Sequence, residues 1–494
     1  MNDAIDIQCP GRLFIGGDWI RPSSAKQLQL VNPADEEIFF EVAEAQQGDV
    51  ETAVAAAREA FDHGPWPRLD VTGRANMLRK MAAALDQRAT SLENAWVKQI
   101  GVPAAMARGS SAGASAILNY YAALIEQQGI EEVRPSQGMQ SQYAVIVKEP
   151  VGVVAAVAPW NGPLMTMMMK VAPALAAGCT VIMKPSPESP LEAFLIAEAA
   201  DAAGLPAGVV NLLPAEREIS DLLIRHTGVD KVAFTGSTAA GVHIATVCAS
   251  RMARFTMELG GKSAAIVLDD FDPALTGPSL APQITLMCGQ VCINYSRLLV
   301  PRSRYFDHVD SLVAAMEAVT VGDPMDAETQ MGPLAMDRQL DRVQDYIRKG
   351  VSEGAMIATG GGRPKGLNRG FYIEPTVFAD VTNDMVIARE EIFGPVTAVI
   401  PYDSEAEAIA IANDSNFGLS GGVYTNDTDR AYAIARSVRT GHFTQNGREF
   451  DLTNPFGGFK QSGVGREGGP EGIEPYYEIK TVFLPKLPAI LQLY

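Results

Sequence analysis

Two thiols stand four residues apart, Cys288 and Cys292, in the stretch MCGQVCINYS at 287–296. A close pair of cysteines has three uses: a disulfide or metal pair, two small buried hydrophobes, or a loop presenting one thiol as a nucleophile. A free cysteine is most often simply buried. The other three cysteines, Cys9, Cys179 and Cys248, lie at irregular positions, and five is an odd number. That is no disulfide framework, so a reducing cytoplasm is the expected setting. The five histidines form no short paired spacing with Cys288 or Cys292, so no metal site is expected.

Other residues offer partners for a thiol. Glu258 precedes two glycines in ELGGKS, where a carboxylate is able to project from a tight turn, although most glutamates simply lie on the surface. Asn161 sits between breakers in PWNGP, where asparagine is usually a turn former. FTGSTAAG at 234–241 follows a strand pattern and opens a helix pattern: Gly236 permits the turn, and Ser237 and Thr238 supply a cap near free N–H groups that suit a phosphate. It is not the G-x-G-x-x-G fingerprint, and a plain strand–helix turn fits as well. ELGGKS ends like a P-loop, but Thr256 stands where the first glycine belongs, which rules out an ATPase. GGPEGIEP at 468–475 reads as a loop.

The elements that must position these residues follow from hydrophobic periodicity. In GDVETAVAAAREAF, Asp49 is expected to cap a helix carrying Val50, Val54, Ala57 and Phe61 on one face. Leu78, Met81, Leu85, Leu92 and Trp96 continue at helical spacing in one further segment. From residue 151 short runs rich in Val and Ile alternate with helical stretches: VGVVAAVAP, CTVIMKP, VVNLLP, KVAFTG and SAAIVLDD form the first series. Such alternation implies a doubly wound α/β domain with a parallel sheet covered on both faces. A second α/β series follows Cys292, from RLLVP to GGVYTN. EEVRPSQGMQSQYAVIVKEP at 131–150 reads as a polar hairpin, and the tail TVFLPKLPAILQLY is apolar. Both need cover, which points to a partner subunit.

Composition narrows the classes. A chain of 494 residues exceeds one hydrophobic core. Its net charge of −18 argues against nucleic acid and against an anionic membrane surface. The start MNDAIDIQCPGRLF does not read as a signal peptide, and no apolar run approaches the ~20 residues of a membrane span.

The order and spacing of the motifs identify more than any one of them. PWN at 159–161, APALAAGCTVIMKPSPE at 172–188, FTGSTAAG, MELGGKS at 257–263, GQVC at 289–292, EEIFGPV at 390–396 and PFGGFKQSGVGRE at 455–467 together resemble the NAD(P)-dependent aldehyde dehydrogenase superfamily. The resemblance runs from about residue 14 to 482. It implies a doubly wound cofactor-binding domain (1–130 and 151–258), a second α/β catalytic domain (259–466) and a small β oligomerisation element (131–150 and 467–494). A homo-oligomer, dimer or tetramer, is the implied assembly. The implied reaction oxidises an aldehyde to the acid through a cysteine thiohemiacetal and thioester. Two other readings stay open: a non-catalytic structural or binding relative, and a thiol esterase.

By the same resemblance Cys292 is the nucleophile, Glu258 the base, Asn161 an oxyanion donor and Lys170 a lysine near the glutamate. Cys288 has no family role. The presence of Glu258 argues against transfer of the acyl group to coenzyme A. For the cofactor, Lys184 matches the lysine on the adenosine ribose, Ser237 the serine on the pyrophosphate, and Glu391, beside Phe393, the carboxylate on the nicotinamide ribose. Trp160, Ser186, Gly236, Gly241 and Leu259 complete the implied cofactor contacts.

Three departures stand out. Pro187 occupies a position often held by glutamate, with Glu188 one residue later, so NADP is possible beside NAD. Met287 replaces a usual asparagine, and Gly162 an aromatic residue common after PWN. Gly162, Met165, Met169, Leu286, Met287, Phe450 and Phe456 match positions that line the aldehyde tunnel. Their character favours a medium-sized apolar aldehyde: aromatic, terpenoid or medium-chain aliphatic. Arg448 and Glu449 at the rim are expected to neutralise each other.

Overall fold

Five short runs make the first sheet: Val153–Val157, Thr180–Lys184, Val210–Leu212 and Lys231–Thr235, buried along nearly their whole length, and Arg254–Glu258, buried over its last three residues. Strands buried on both faces carry continuous apolar sequence, and parallel pairing suits them. In this computed structural model, which describes residues 4–138 and 140–491, they pair in parallel with the first at the centre. Gly463–Val464 adds an antiparallel edge beside Arg254–Glu258. Successive residues serve opposite faces. Val154 and Ala156 enter the core shared with the helices Val71–Asp86, Ser110–Gln128 and Leu191–Ala202. Val153, Ala155 and Val157 enter the core shared with the helix Gln47–Asp62.

The second sheet has seven strands in the order Met356–Thr359, Thr376–Ala379, Val396–Tyr402, Tyr295–Pro301, Ser263–Val267, Ser420–Tyr424, His442–Gln445. All are parallel except the first-named edge. A third, antiparallel sheet joins Glu131–Pro135 and Tyr143–Pro150 to Tyr477–Leu484. Met1–Asp3 and Met139, together with Gln492–Tyr494 of the expected oligomerisation element, lie outside the described residues. Among the described residues no helix is long and apolar enough to cross a membrane.

Three expectations need correcting. Asp49 is not the cap residue: the helix starts at Gln47, and Asp49 in its first turn accepts a hydrogen bond from the Gln46 backbone N–H, 2.8 Å, inside a capping box. The stripe from Leu78 to Trp96 belongs to two helices, Val71–Asp86 and Ala89–Ile100, rather than one segment. SAAIVLDD belongs to the second sheet, and the fifth parallel strand of the first is Arg254–Glu258, whose sequence RFTME offers no apolar run.

Candidate active site

In a doubly wound sheet the crevice opens where strand order reverses, beyond the carboxyl ends of the strands. Here that point lies between Val153–Val157 and Lys231–Thr235. The segment leaving the first strand is Ala158-Pro159-Trp160-Asn161-Gly162, and Pro163 then starts the buried helix Pro163–Ala177. Proline at the first helical position loses nothing, because its N–H has no helical partner there anyway. The Asn161 carbonyl accepts from Trp96 Nε1 at 2.9 Å, and its side-chain Nδ2 donates to the Gln290 carbonyl at 2.8 Å. Trp160 meets Phe393 edge to face, ring centroids 5.3 Å apart.

Gln290 belongs to the thiol loop. Its Nε2 donates to the Met287 carbonyl at 2.9 Å, and its Oε1 accepts from the Ala335 N–H at 3.0 Å. Before it the backbone of Met287 and Cys288 takes left-handed angles, φ 50° and 55°. Non-glycine residues pay ~1–3 kcal/mol for such conformations, which persist only where surroundings fix them. Cys292 follows and keeps partial solvent access, whereas Cys288 is sealed within the second core. Burial, reinforced by Glu391 and Glu258, pushes the Cys292 thiol up to about 12. The two glycines after Glu258 make the loop's approach possible. A Cβ at Gly261 would stand 2.3 Å from the Cys292 carbonyl oxygen, and one at Gly260 would stand 2.4 Å from Glu391 Oε2.

Glu258 ends its strand in register with Thr235, 4 % exposed. Its Oε2 is buried without a hydrogen-bond partner. Burial first, then the Glu467 charge, holds its carboxyl well above the usual range, opposed by Lys170 and Arg466. Lys170, fully buried on the helix Pro163–Ala177, donates to Thr235 Oγ1 at 2.6 Å and to Glu467 Oε1 at 2.7 Å. The structure thus gathers Cys292, Asn161, Glu258 and Lys170 around the ends of the central strands. Glu467 and Thr235 join them, and sequence reasoning assigned neither a role. The signal available was only the position of Glu467 at the close of the PFGGFKQSGVGRE motif.

Beside this group opens a cleft of about 1000 Å³, lined among others by Trp160, Lys184, Ser186, Ser237 and Arg338. Ser237 caps the helix Thr238–Ser250, its Oγ accepting from the Ala240 N–H at 3.3 Å. The remaining N–H groups of that first turn suit a phosphate. Gly236 donates its N–H to the Glu258 carbonyl at 3.0 Å, and Gly241 lies against Leu259 with no room for a Cβ. Burial lowers Lys184 to about 8, against the pull of Glu188 and Glu216. Glu188 takes hydrogen bonds from Ser186 and Arg338 at the cleft wall. Glu391 accepts from the Gly261 N–H at 3.0 Å, and burial raises it to about 7. Cleft, helix terminus and buried lysine fit a dinucleotide.

Of the apolar set, Phe450 and Phe456 contact each other edge to face at 5.4 Å. Met169 is buried, and Met165 reaches towards Gly113 on the helix Ser110–Gln128. Gly162 is open: a Cβ there would meet only Thr166 Cγ2, at 4.0 Å. Met287 is buried with Val97 and Ile100, and Leu286 packs against the same cluster. Arg448 and Glu449 do not neutralise each other, a correction to the expectation. Arg448 Nη2 donates to the Gln283 carbonyl at 2.7 Å, and among the described residues no carboxylate pairs with it. Nor do the described residues include a group of three or more His, Cys, Asp or Glu placed to hold a metal ion.

Comparison with known proteins adds an independent finding. Residues 19–482 match the model of the aldehyde dehydrogenase family. The chain is 46% identical over 473 residues to geranial dehydrogenase of Castellaniella defragrans, covering 96% of this chain and 98% of that one. It is 42% identical to a 3-succinoylsemialdehyde-pyridine dehydrogenase of a Pseudomonas species, covering 95% and 97%. Among solved structures, a Mycobacterium tuberculosis aldehyde dehydrogenase complexed with NAD+ superposes with a TM-score of 0.93 at 43% identity, covering 96% and 98%. A mutant aldehyde dehydrogenase C of Pseudomonas syringae, complexed with NAD+ and octanal, gives 0.93 at 36%, covering 98% and 99%.

Proposed function

This chain belongs to the aldehyde dehydrogenase family, NAD-dependent oxidoreductases of aldehydes, and we propose that Cys292 is its nucleophile. One observation carries the assignment. A single strained loop holds Cys292 partly open to solvent, tied through the Gln290 carbonyl to Asn161, with the Glu258 carboxyl, whose Oε2 has no partner, acting on the sulfur.

The sulfur adds to the aldehyde carbon, its proton passes to solvent water, to which Cys292 is partly open, and the carbonyl oxygen becomes an oxyanion. Asn161 Nδ2 has two N–H groups and spends one on Gln290, which leaves the second for that oxyanion together with the Cys292 N–H. NAD, when bound, supplies the nicotinamide that takes up the hydride leaving the tetrahedral carbon. Lys184, Ser186 and Ser237 would hold its adenosine and phosphate portions, and Glu391 with Phe393 the nicotinamide side. What remains is a thioester on Cys292, and Glu258 takes a proton from the water that hydrolyses it. A carboxyl whose proton is held more tightly is the stronger base, which suits the raised Glu258.

The substrate in this reading is a medium-sized apolar aldehyde. Open space at Gly162, buried Met169 and the Phe450–Phe456 pair support it, as do a relative named for geranial and a neighbour holding octanal. A homo-oligomer in the cytoplasm completes it, the latter supported by five free cysteines. Nicotinamide absorbance followed over a panel of aldehydes, with NAD and with NADP, is the test. Cys292→Ala should abolish reduction and Cys288→Ala should keep most of it. Comparable losses from both changes would overturn the assignment.

A further inference from the structure

Two cavities share one wall. The cleft of about 1000 Å³ backs onto a second cavity of about 580 Å³, bounded by the strand Gln27–Val31, Gln99 and Phe371. Pro187, Glu188, Glu216 and Arg338 line both. Glu188 ties the wall together: its Oε1 accepts from Arg338 Nη2 and its Oε2 from Ser186 Oγ. Arg338 stands in the first turn of the helix Asp337–Ser352, which packs in the second core, whereas Glu188 belongs to the loop after Thr180–Lys184. The contact therefore crosses from one α/β unit to the other. The pair is held unequally. The Glu188 side chain is 20% exposed and has two partners, while that of Arg338 is 65% exposed and, among the described residues, has no other. An ion pair this open to water contributes little, so the arginine is free to exchange partners.

We propose that Arg338 receives the 2′-phosphate of NADP: it leaves Glu188 when that phosphate arrives, and stays on Glu188 when NAD, with its bare 2′-hydroxyl, is bound. This rests on the reading of the cleft as a dinucleotide site with the adenosine ribose at Lys184 and Ser186. A phosphate at that end meets two carboxylates in the wall, Glu188 and Glu216, so it needs cations. Lys184 is buried at the end of its strand and offers a point charge. The planar fork of Arg338 matches a carboxylate and a phosphate alike, and a dianionic phosphate competes with Glu188 for it. Arg217 also lines the cleft, but it is not part of the shared wall. The second cavity gives the released carboxylate room to turn away from the phosphate. The exchange has a cost, because Glu188 loses one of its two partners while staying near a like charge. NAD therefore remains the better ligand of the two.

Calorimetric titration of the full chain with 5′-AMP and with adenosine 2′,5′-bisphosphate isolates this end of the cofactor. The ratio of the two dissociation constants cancels any general change in the cleft. Arg338→Met should shift that ratio against the bisphosphate by about tenfold, the low end for losing a hydrogen bond to a charged group. Glu188→Gln should shift it by about tenfold the other way. When Glu188→Gln and Arg338→Met are combined, most of that gain should vanish, because it comes from the freed arginine. A gain that survives in full overturns the proposal, since Glu188 would then act by repulsion alone. An unchanged ratio in Arg338→Met overturns it too, as does a loss that appears in Arg217→Met instead. If the wild type binds neither 5′-AMP nor NAD, the dinucleotide reading of the cleft falls and the proposal with it.

Discussion

Glu258 is set by its neighbours more than by its own strand. Its carboxyl is raised by burial and by Glu467 and lowered by Lys170 and Arg466. If deacylation limits turnover, kcat rises with pH as Glu258 ionises, and this acid limb should lie well above the ordinary carboxylate range. Lys170→Met removes a charge that favours ionisation, so the limb should move to higher pH. Glu467→Gln removes one that opposes it, so the limb should move lower. Profiles normalised to their own maxima check this, and shifts in the same direction would exclude Lys170 and Glu467 as opposing charges. Each change also splits a buried ion pair, which costs ~3–5 kcal/mol when one partner remains. The Lys170–Glu467 pair was not legible in the sequence, because 297 residues separate its members. Asn161, Glu258 and Cys292, which the fold brings together, stand out in the sequence because each occupies a short motif whose order along the chain is distinctive. Arg448 was visible as a charge, but pairing it with its neighbour overlooked that an adjacent side chain is free to turn elsewhere.

At the scale of elements, both α/β series were readable from apolar runs, yet sheet membership was not. Strands of two buried parallel sheets have the same composition, so Ser263–Val267 looked like a continuation of the first. The loop between Thr180–Lys184 and Leu191–Ala202 shows a similar limit. Pro187 suggested a missing carboxylate, but the fold returns Glu188 to the cleft wall through Ser186 and Arg338. Burial opposes its ionisation, but those two partners hold the carboxyl below its usual range. A charged carboxylate there should disfavour the extra phosphate of NADP. Glu188→Gln should therefore raise kcat/KM with NADP relative to NAD by roughly tenfold, about 1.4 kcal/mol. An unchanged ratio would remove Glu188 from cofactor choice. At the start of the helix Pro163–Ala177, Gly162 has a negative φ, −133°, and a Cβ there would meet only Thr166 Cγ2 at 4.0 Å, so Gly162→Phe should chiefly fill space. Bulky apolar aldehydes should lose efficiency relative to acetaldehyde by roughly 5–150-fold, the equivalent of ~1–3 kcal/mol of overpacking. A parallel decline for both aldehydes would take Gly162 out of the pocket.

The whole molecule leaves one surface unanswered. Tyr477–Leu484 pairs along its full length with Tyr143–Pro150, whose other edge is taken by Glu131–Pro135. Ile479 and Phe483 are 66% and 60% exposed, and strand alternation puts both on one face. Two large apolar side chains on a sheet whose two edge strands have no further strand beside them among the described residues are a liability unless another copy covers them. Truncation after Lys480 strips the partner from Tyr143–Ile146 and deletes Phe483. It should lower the oligomeric state, read by sedimentation velocity, or the solubility. Because truncation also disturbs the sheet itself, Ile479→Lys with Phe483→Lys is the cleaner variant. It keeps every backbone pair and charges only the face. Subunits should then sediment as a smaller species with the thermal transition of the fold retained. If both variants sediment like the intact protein, assembly does not use this sheet, and the exposed face needs another occupant.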